Sequence, residues 1–175
     1  MAATGGVRSI ARTLSVSASS TIPERGTILD PLALTDCGGR PVVVDPAHTL
    51  LLFYRGFWCE HCRDQFEELA HLTPAFRIAG FRIAAVSSDS SVLAEAMCSL
   101  VSGRIAIFRD PEAKLITRIG LANHDDAVVH TIARPAAFII GADRTIEYRY
   151  LSRSPNDRPA SALLLLGTES VGNLR

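Results

Sequence analysis

The sequence lacks an excess of charge of either sign: 18 acidic side chains balance 18 basic ones. A neutral chain has no basic field to gather nucleic acid or an anionic membrane surface, which leaves a nucleic-acid role without support. Long hydrophobic runs are also missing. The longest candidates, Thr49–Tyr54 and Ala162–Leu166, fall far short of the ~18 residues a membrane-spanning helix needs. The first twenty residues, MAATGGVRSIARTLSVSASS, lack the continuous apolar stretch of a secretory signal. They are read as a flexible lead-in, residues 1–25, ahead of one domain over 26–175. With no signal the expected setting is the reducing cytoplasm. Cysteine is sparse at four in 175 residues, and nearly half the residues are apolar, so a core forms without cross-links.

What is present is an alternation of strand and helix patterns. DCGGRPVVV places a Gly-Gly turn between short apolar pieces, which predicts a hairpin. TLLLFYRG (Thr49–Gly56) is a continuous apolar run of strand length, as in a strand buried on both faces. CEHCRDQFEELAHL then sets Cys59, Cys62, Phe66 and Leu69 close to one helical face, with Pro74 expected to kink or end the helix. FRIAAVSSD is a second buried strand ending in a polar turn at Ser87–Ser91. SVLAEAMCSLV reads as helix, RIAIF as strand, and EAKLITRIG as a helix stopped by Gly120. AAFIIGADRTIEYRYL predicts two strands about a turn at Gly141–Arg144, and DRPASALLLLG a closing helix entered through Pro159. The sum is an α/β domain with a central mixed sheet flanked by helices.

Two of the four cysteines, Cys59 and Cys62, form a CxxC at the junction of the first buried strand and its helix, beside the single tryptophan, Trp58. Free amide groups and the helix dipole at such a junction stabilise a thiolate. The ordinary thiol value of ~8.5 falls to ~3.5–7.5 in sites of this kind. Cys59 is thus a plausible nucleophile, and Cys62, one turn on, a resolving thiol. Between them, Glu60 opposes the thiolate and a protonated His61 favours it. A CxxC is also half of a zinc site, but no second half appears in the sequence, so no metal or other cofactor is expected. Cys98 is read as a core residue, Cys37 as a turn residue, His71 as helix surface, and His124, Asp125 and Asp126 as a solvated loop.

LLLFYRGFWCEHCRDQFEELAHL resembles the thioredoxin fold as found in peroxiredoxin-like proteins, the alkyl hydroperoxide reductase and thiol-specific antioxidant relatives with an F-Y-R-G-x-W-C-x-x-C segment. The resemblance continues through GFRIAAVSSD, IFRDPEAKLITRIGL, ARPAAFIIGADRTIEYRYL and NDRPASALL, from about Gly26 to Leu166. It implies a thioredoxin-like fold and an antioxidant thiol oxidoreductase that cycles a Cys59–Cys62 disulfide. Substrates would be protein disulfides or hydroperoxides, and the reductant an external thiol such as a thioredoxin or a small thiol. It also implies a cis proline at Pro135, presenting the backbone of Arg134 to an incoming substrate. The family's P-x-x-x-T-x-x-C segment, laid over this chain, puts Arg55, Cys59 and Cys62 where the proline, threonine and peroxidatic cysteine belong. Two assignments therefore stand: Cys59 attacks by the thioredoxin analogy, Cys62 by the peroxiredoxin analogy. The family's peroxide-polarising arginine falls at Pro135, leaving Arg134 one residue early and Arg55 as another source of charge. The rival functions are a peptide-binding module with a CxxC that never cycles, and a zinc module. Monomer and homodimer are not distinguished by the sequence.

Overall fold

The central strands read as unbroken apolar runs because the sheet they form is covered on both faces. The computed structural model describes residues 21–123 and 130–172. Strands β1 (Leu32–Asp36), β2 (Pro41–Val44) and β3 (Thr49–Phe53) precede helix α1 (Glu60–Ile78). Then come β4 (Arg82–Ser87), α2 (Ser91–Leu100), β5 (Ala106–Arg109) and α3 (Lys114–Arg118). The short β6 (Ala122–Asn123) and β7 (Ile132–Ala133), then β8 (Ala136–Ile140), β9 (Ile146–Leu151) and α4 (Ser161–Gly172), complete the order. Seven strands make one sheet in the order β2-β1-β5-β4-β3-β8-β9, parallel from β5 to β3 and antiparallel on both flanks. This is the mixed α/β sheet that the pattern predicts.

Alternation along β3 divides the core in two. Leu50 and Leu52 pack with Cys62, Phe66 and Leu69 of α1, Met97 of α2 and Leu164 of α4. Leu51 and Phe53 point the other way, onto Leu115, Ile116, Leu121 and Phe138. A strand fully buried on both faces must stop where side chains change character, and β3 ends at Phe53, which puts the following loop beside the end of β4, at the C-terminal ends of the parallel strands.

Several local expectations are corrected. Pro74 does not end α1, which runs on to Ile78. A helical interior proline costs ~3 kcal/mol, but continuation buries Phe76 completely, a gain of the same order. The third helix is only five residues long, because Ala113 takes a left-handed backbone (φ 51°). The Asp110 carboxylate then accepts from Lys114 N at 3.0 Å and Ile116 N at 2.8 Å. Gly120 stops it as predicted, with φ 70°. The closing helix begins at Ser161, two residues after Pro159. No cis peptide bond occurs among the described residues, so the Arg134–Pro135 bond is trans. Pro135 lies between β7 and β8, outside the ladder, where its missing N–H leaves no strand bond unmade. The Arg134 N–H is tied to Leu121 O at 2.7 Å rather than presented to a substrate. Residues 1–20 and the loop holding His124, Asp125 and Asp126 lie outside the described residues.

Candidate active site

The chain between β3 and α1 is shaped by one glycine and one buried carboxylate. Gly56 has φ 152°, and a Cβ there would stand 2.5 Å from Trp58 Nε1 and 2.7 Å from Asp89 Oδ1. Only glycine fits. Asp89, 2% exposed after the end of β4, accepts from Phe57 N at 2.9 Å and from Ser87 Oγ at 3.1 Å. Burial pushes its carboxyl upward in pKa. The loop is also held from α1, where Arg63 Nη1 donates to Phe57 O at 2.8 Å. Tyr54 anchors the start by stacking edge-on to Phe66 with ring centres 4.9 Å apart. These contacts deliver Cys59 to the residue just ahead of α1, its backbone extended at φ −81° and ψ 109°.

Cys62 lies one turn into the helix, and its thiol donates to Cys59 Sγ across 2.8 Å. Cys59 keeps 4% of its surface exposed and Cys62 none. The Cys62 thiol and backbone N–H both favour a charged Cys59 sulfur, and Arg158 and Arg55 add positive charge. Against the opposing effect of burial, they pull the Cys59 thiol down to about 5. Cys62 moves the other way: giving its proton to the bond with Cys59, and buried, it is held as a thiol. The pair therefore shares one proton, resident on Cys62.

Arg158 comes from the turn between β9 and α4. Its Nη2 lies 2.9 Å from Cys62 Sγ and 3.5 Å from Cys59 Sγ. Nη1 donates to Pro155 O at 3.0 Å and Asp157 O at 2.7 Å, which fixes the guanidinium plane. The turn itself is docked on α1 by Gln65 Nε2 to Pro159 O (3.3 Å) and Ser161 Oγ to Glu68 Oε2 (2.8 Å). Arg55 stacks on Trp58 with 4.6 Å from its guanidinium carbon to the ring centre. With Arg134, Pro135, Ser152 and Arg153 it lines a cleft of about 290 Å³.

Cys59, Cys62, Arg55 and Trp58 are thus brought together. Glu60 and His61 are not part of the thiol environment in the way the sequence suggests: both side chains are exposed, and the leading influences on Cys59 come from Cys62, Arg158 and Arg55. His61 lines a separate cleft with Asp64, Glu68 and Arg158. Arg134 and Pro135 border the cleft beside Arg55, with Arg134 Nε donating to Ser152 O at 2.8 Å. Sequence reasoning missed Arg158 and Asp89. Asp89 had a signal, a lone acid closing the polar turn after a buried strand; Arg158, 96 positions from Cys62, had none that spacing could supply. Among the described residues no group of three or more His, Cys, Asp or Glu side chains is gathered for a metal. None of the described helices is long and apolar enough to cross a membrane.

Known proteins resemble this chain in both sequence and shape. Peroxiredoxin-like 2C of Bos taurus is 26% identical over 100 residues, which are 54% of this chain and 44% of that protein. The chain thus matches less than half the length of that curated relative. A peroxiredoxin-like protein from Aquifex aeolicus superposes with a TM-score of 0.75 at 12% identity, covering 86% of this chain and 88% of that one. Reduced Prx3 from Vibrio vulnificus, solved in complex with hydrogen peroxide, gives 0.73 at 16% identity, covering 85% of this chain and all of the other. These likenesses establish the thioredoxin-like fold of the peroxiredoxins. The model of the AhpC/TSA family matches residues 30–149, the stretch that carries the sheet, the CxxC and the Asp89 anchor, and the chain belongs to that family.

Proposed function

We propose that the protein is a thiol-dependent peroxidase in which Cys59 attacks and Cys62 resolves. Membership of the AhpC/TSA family supports thiol redox chemistry. The single observation that carries the assignment of roles is position: Cys59 stands just ahead of α1 with 4% of its surface open, while the Cys62 sulfur 2.8 Å away is fully buried. It leaves the charged, nucleophilic sulfur on Cys59. The low exposure of Cys59, 4%, favours a small hydroperoxide over a folded protein's disulfide, whose sulfur must approach in line.

The Cys59 thiolate attacks the terminal oxygen of the hydroperoxide. The O–O bond breaks, the departing alkoxide takes a proton from water, and Cys59 becomes a sulfenic acid. Cys62 sulfur then attacks the sulfenic sulfur, its proton leaving with the hydroxyl as water, and a Cys59–Cys62 disulfide closes. Arg158, 2.9 Å from Cys62, stabilises the negative charge that develops there as the proton leaves. Arg55 and Arg134 border the neighbouring cleft, which this reading assigns to the approach of the peroxide. Two equivalents of an external thiol, from a thioredoxin or a small thiol of a reducing cytoplasm, regenerate the dithiol.

Single-turnover oxidation of the reduced protein tests the assignment. Hydrogen peroxide, an organic hydroperoxide and a model protein disulfide are each given to wild type, Cys59→Ser and Cys62→Ser. The expected result is that Cys62→Ser consumes one equivalent of peroxide and holds a trappable sulfenic acid on Cys59, while Cys59→Ser slows at least 100-fold. The reverse pattern, with Cys59→Ser still consuming peroxide, overturns it and installs Cys62 as the attacking sulfur. A disulfide substrate oxidising wild type faster than either peroxide overturns the substrate class.

A further inference from the structure

The two cysteines that the mechanism leaves unused are neighbours. Cys37 follows β1 directly, at the head of the turn that leads into β2. The end of β1 pairs with β5 through Thr35↔Arg109 and Asp36↔Phe108, and α2 packs across β5. That arrangement carries the turn to the flank of α2, where Cys98 occupies the helix's last turns. The Cys37 and Cys98 side chains pack against the same core cluster, near enough that the Cys37 thiol acts on the titration of Cys98. Both are reduced and half-buried. The turn beside them is open, with Gly38 and Gly39 exposed and Gly39 at φ 87°, so a small oxidant has a way in and the chain has freedom to close a short gap. Asp36, held by Arg40 through bonds of 2.9 Å to its side chain and backbone, fixes the turn's position at the end of the strand.

We propose that Cys37 and Cys98 are a second redox dithiol, which a hydroperoxide closes into a disulfide linking the β1–β2 turn to the end of α2. Cys98 is the resolving sulfur: burial, the Cys37 thiol and the charges of Asp36 and Glu95 push it up to about 12, so it stays protonated at neutral pH. Cys37 attacks the terminal peroxide oxygen; the O–O bond breaks, an alcohol or water leaves, and Cys37 becomes a sulfenic acid. Cys98 sulfur then displaces the hydroxyl, its proton departing with it as water, and the S–S bond forms. Two thiols are oxidised and one hydroperoxide is reduced by two electrons. No arginine is among the leading influences on Cys98, so this closure is expected to be slower than that of the first pair and to occur when peroxide persists. Its product is mechanical: it staples an edge hairpin to a helix 61 residues further along the chain, counting from Cys37 to Cys98, and shuts a long loop that the unfolded chain would otherwise sample freely.

The test uses the full-length Cys59→Ser/Cys62→Ser double variant, in which Cys37 and Cys98 are the remaining thiols. It is reduced, exposed to excess hydrogen peroxide, alkylated, cleaved at arginine and analysed by mass spectrometry. The expected result is loss of both alkylatable thiols, a cross-linked peptide pair containing Cys37 and Cys98, reversal by dithiothreitol, and a rise of about 10 °C in the thermal midpoint of the oxidised chain. Adding Cys37→Ser removes the link and the shift and leaves Cys98 alkylatable. Thiols that stay free, single oxidation to sulfinic acid, or a link between two chains each overturn the proposal. Should the double variant not fold, the wild type gives the same reading, because arginine cleavage leaves Cys37, Cys98 and the Cys59–Cys62 pair on three separate peptides. The outcome is independent of which sulfur strikes first in the CxxC.

Discussion

At the scale of single residues, the reactivity proposed for Cys59 rests on a proton held elsewhere and on two cations. A thiol brought down to about 5 is charged throughout the neutral range, so the rate of iodoacetamide alkylation of Cys59 is expected to stay flat from pH 8 to 6. It should fall about tenfold per unit once below 5. Alkylation followed by peptide mass spectrometry reads this directly; a midpoint near the ordinary ~8.5 would remove the basis of the mechanism. Arg158→Ala takes away the guanidinium 3.5 Å from Cys59 Sγ, and the midpoint should rise by about one unit, with Arg158→Lys restoring part of it. Because the same cation favours the reduced, charged form over the disulfide, Arg158→Ala should also make the pair more reducing in equilibrium with glutathione. At Gly56, the constraint is steric rather than electrostatic. Gly56→Ala drives a methyl to 2.5 Å from Trp58 Nε1 and 2.7 Å from Asp89 Oδ1, and is expected to cost about 2–3 kcal/mol in urea unfolding. An unchanged midpoint would show that the loop relaxes at no cost.

At the scale of elements, helix α1 carries the site and tolerates a flaw. Pro74 is exposed in its interior and cannot donate to Ala70 O, while Thr73 Oγ1 bonds back to Leu69 O at 3.2 Å. Pro74→Ala restores a helical donor without touching the core, and should stabilise the protein by about 2 kcal/mol, as read by chemical denaturation. Destabilisation instead would mean that the backbone restriction imposed by this proline is what fits α1 to its neighbours. The proline also shows where sequence reading stops. The pattern of β3, β4 and β8, the CxxC ahead of α1 and the hairpins of β1–β2 and β8–β9 were legible because periodicity and turn residues are local. The persistence of α1 beyond Pro74 was not, because it depends on Phe76 finding a buried position supplied by other elements. The same holds at the site: Cys59, Cys62, Arg55 and Trp58 lie within one short segment and announced themselves. Arg158 and Asp89 reach the thiols or their loop across 96 and 32 positions, and Cys37 meets Cys98 only because β1 joins the sheet beside β5.

For the molecule as a whole, the charged sulfur links folding to pH. Unfolded, Cys59 titrates near ~8.5; folded, it titrates at about 5. A depressed value means that the folded state binds the proton less tightly, so its contribution to stability is complete above ~8.5 and is lost as pH falls through 5. At pH 7 that contribution is about 2–3 kcal/mol by this linkage. Cys62 acts with the opposite sign and at a different place: folding holds its proton on, which costs nothing while the unfolded thiol is also protonated and begins to destabilise above ~8.5. The two effects meet in a maximum near pH 8.5. In the cycle proposed above, closing the disulfide would delete both, so the reduced chain, not the oxidised one, would gain from a neutral environment and the pair would tend to take electrons. The measurement is urea unfolding of the reduced wild type and of Cys59→Ala across pH 4 to 9. Their difference in stability should grow by about 1 kcal/mol per pH unit between 5 and 8 and level off near 4 at the packing cost of the substitution alone. A difference that stays constant across that range would mean that Cys59 folds as a neutral thiol, with the proton of the pair lying on the wrong sulfur for the mechanism proposed above.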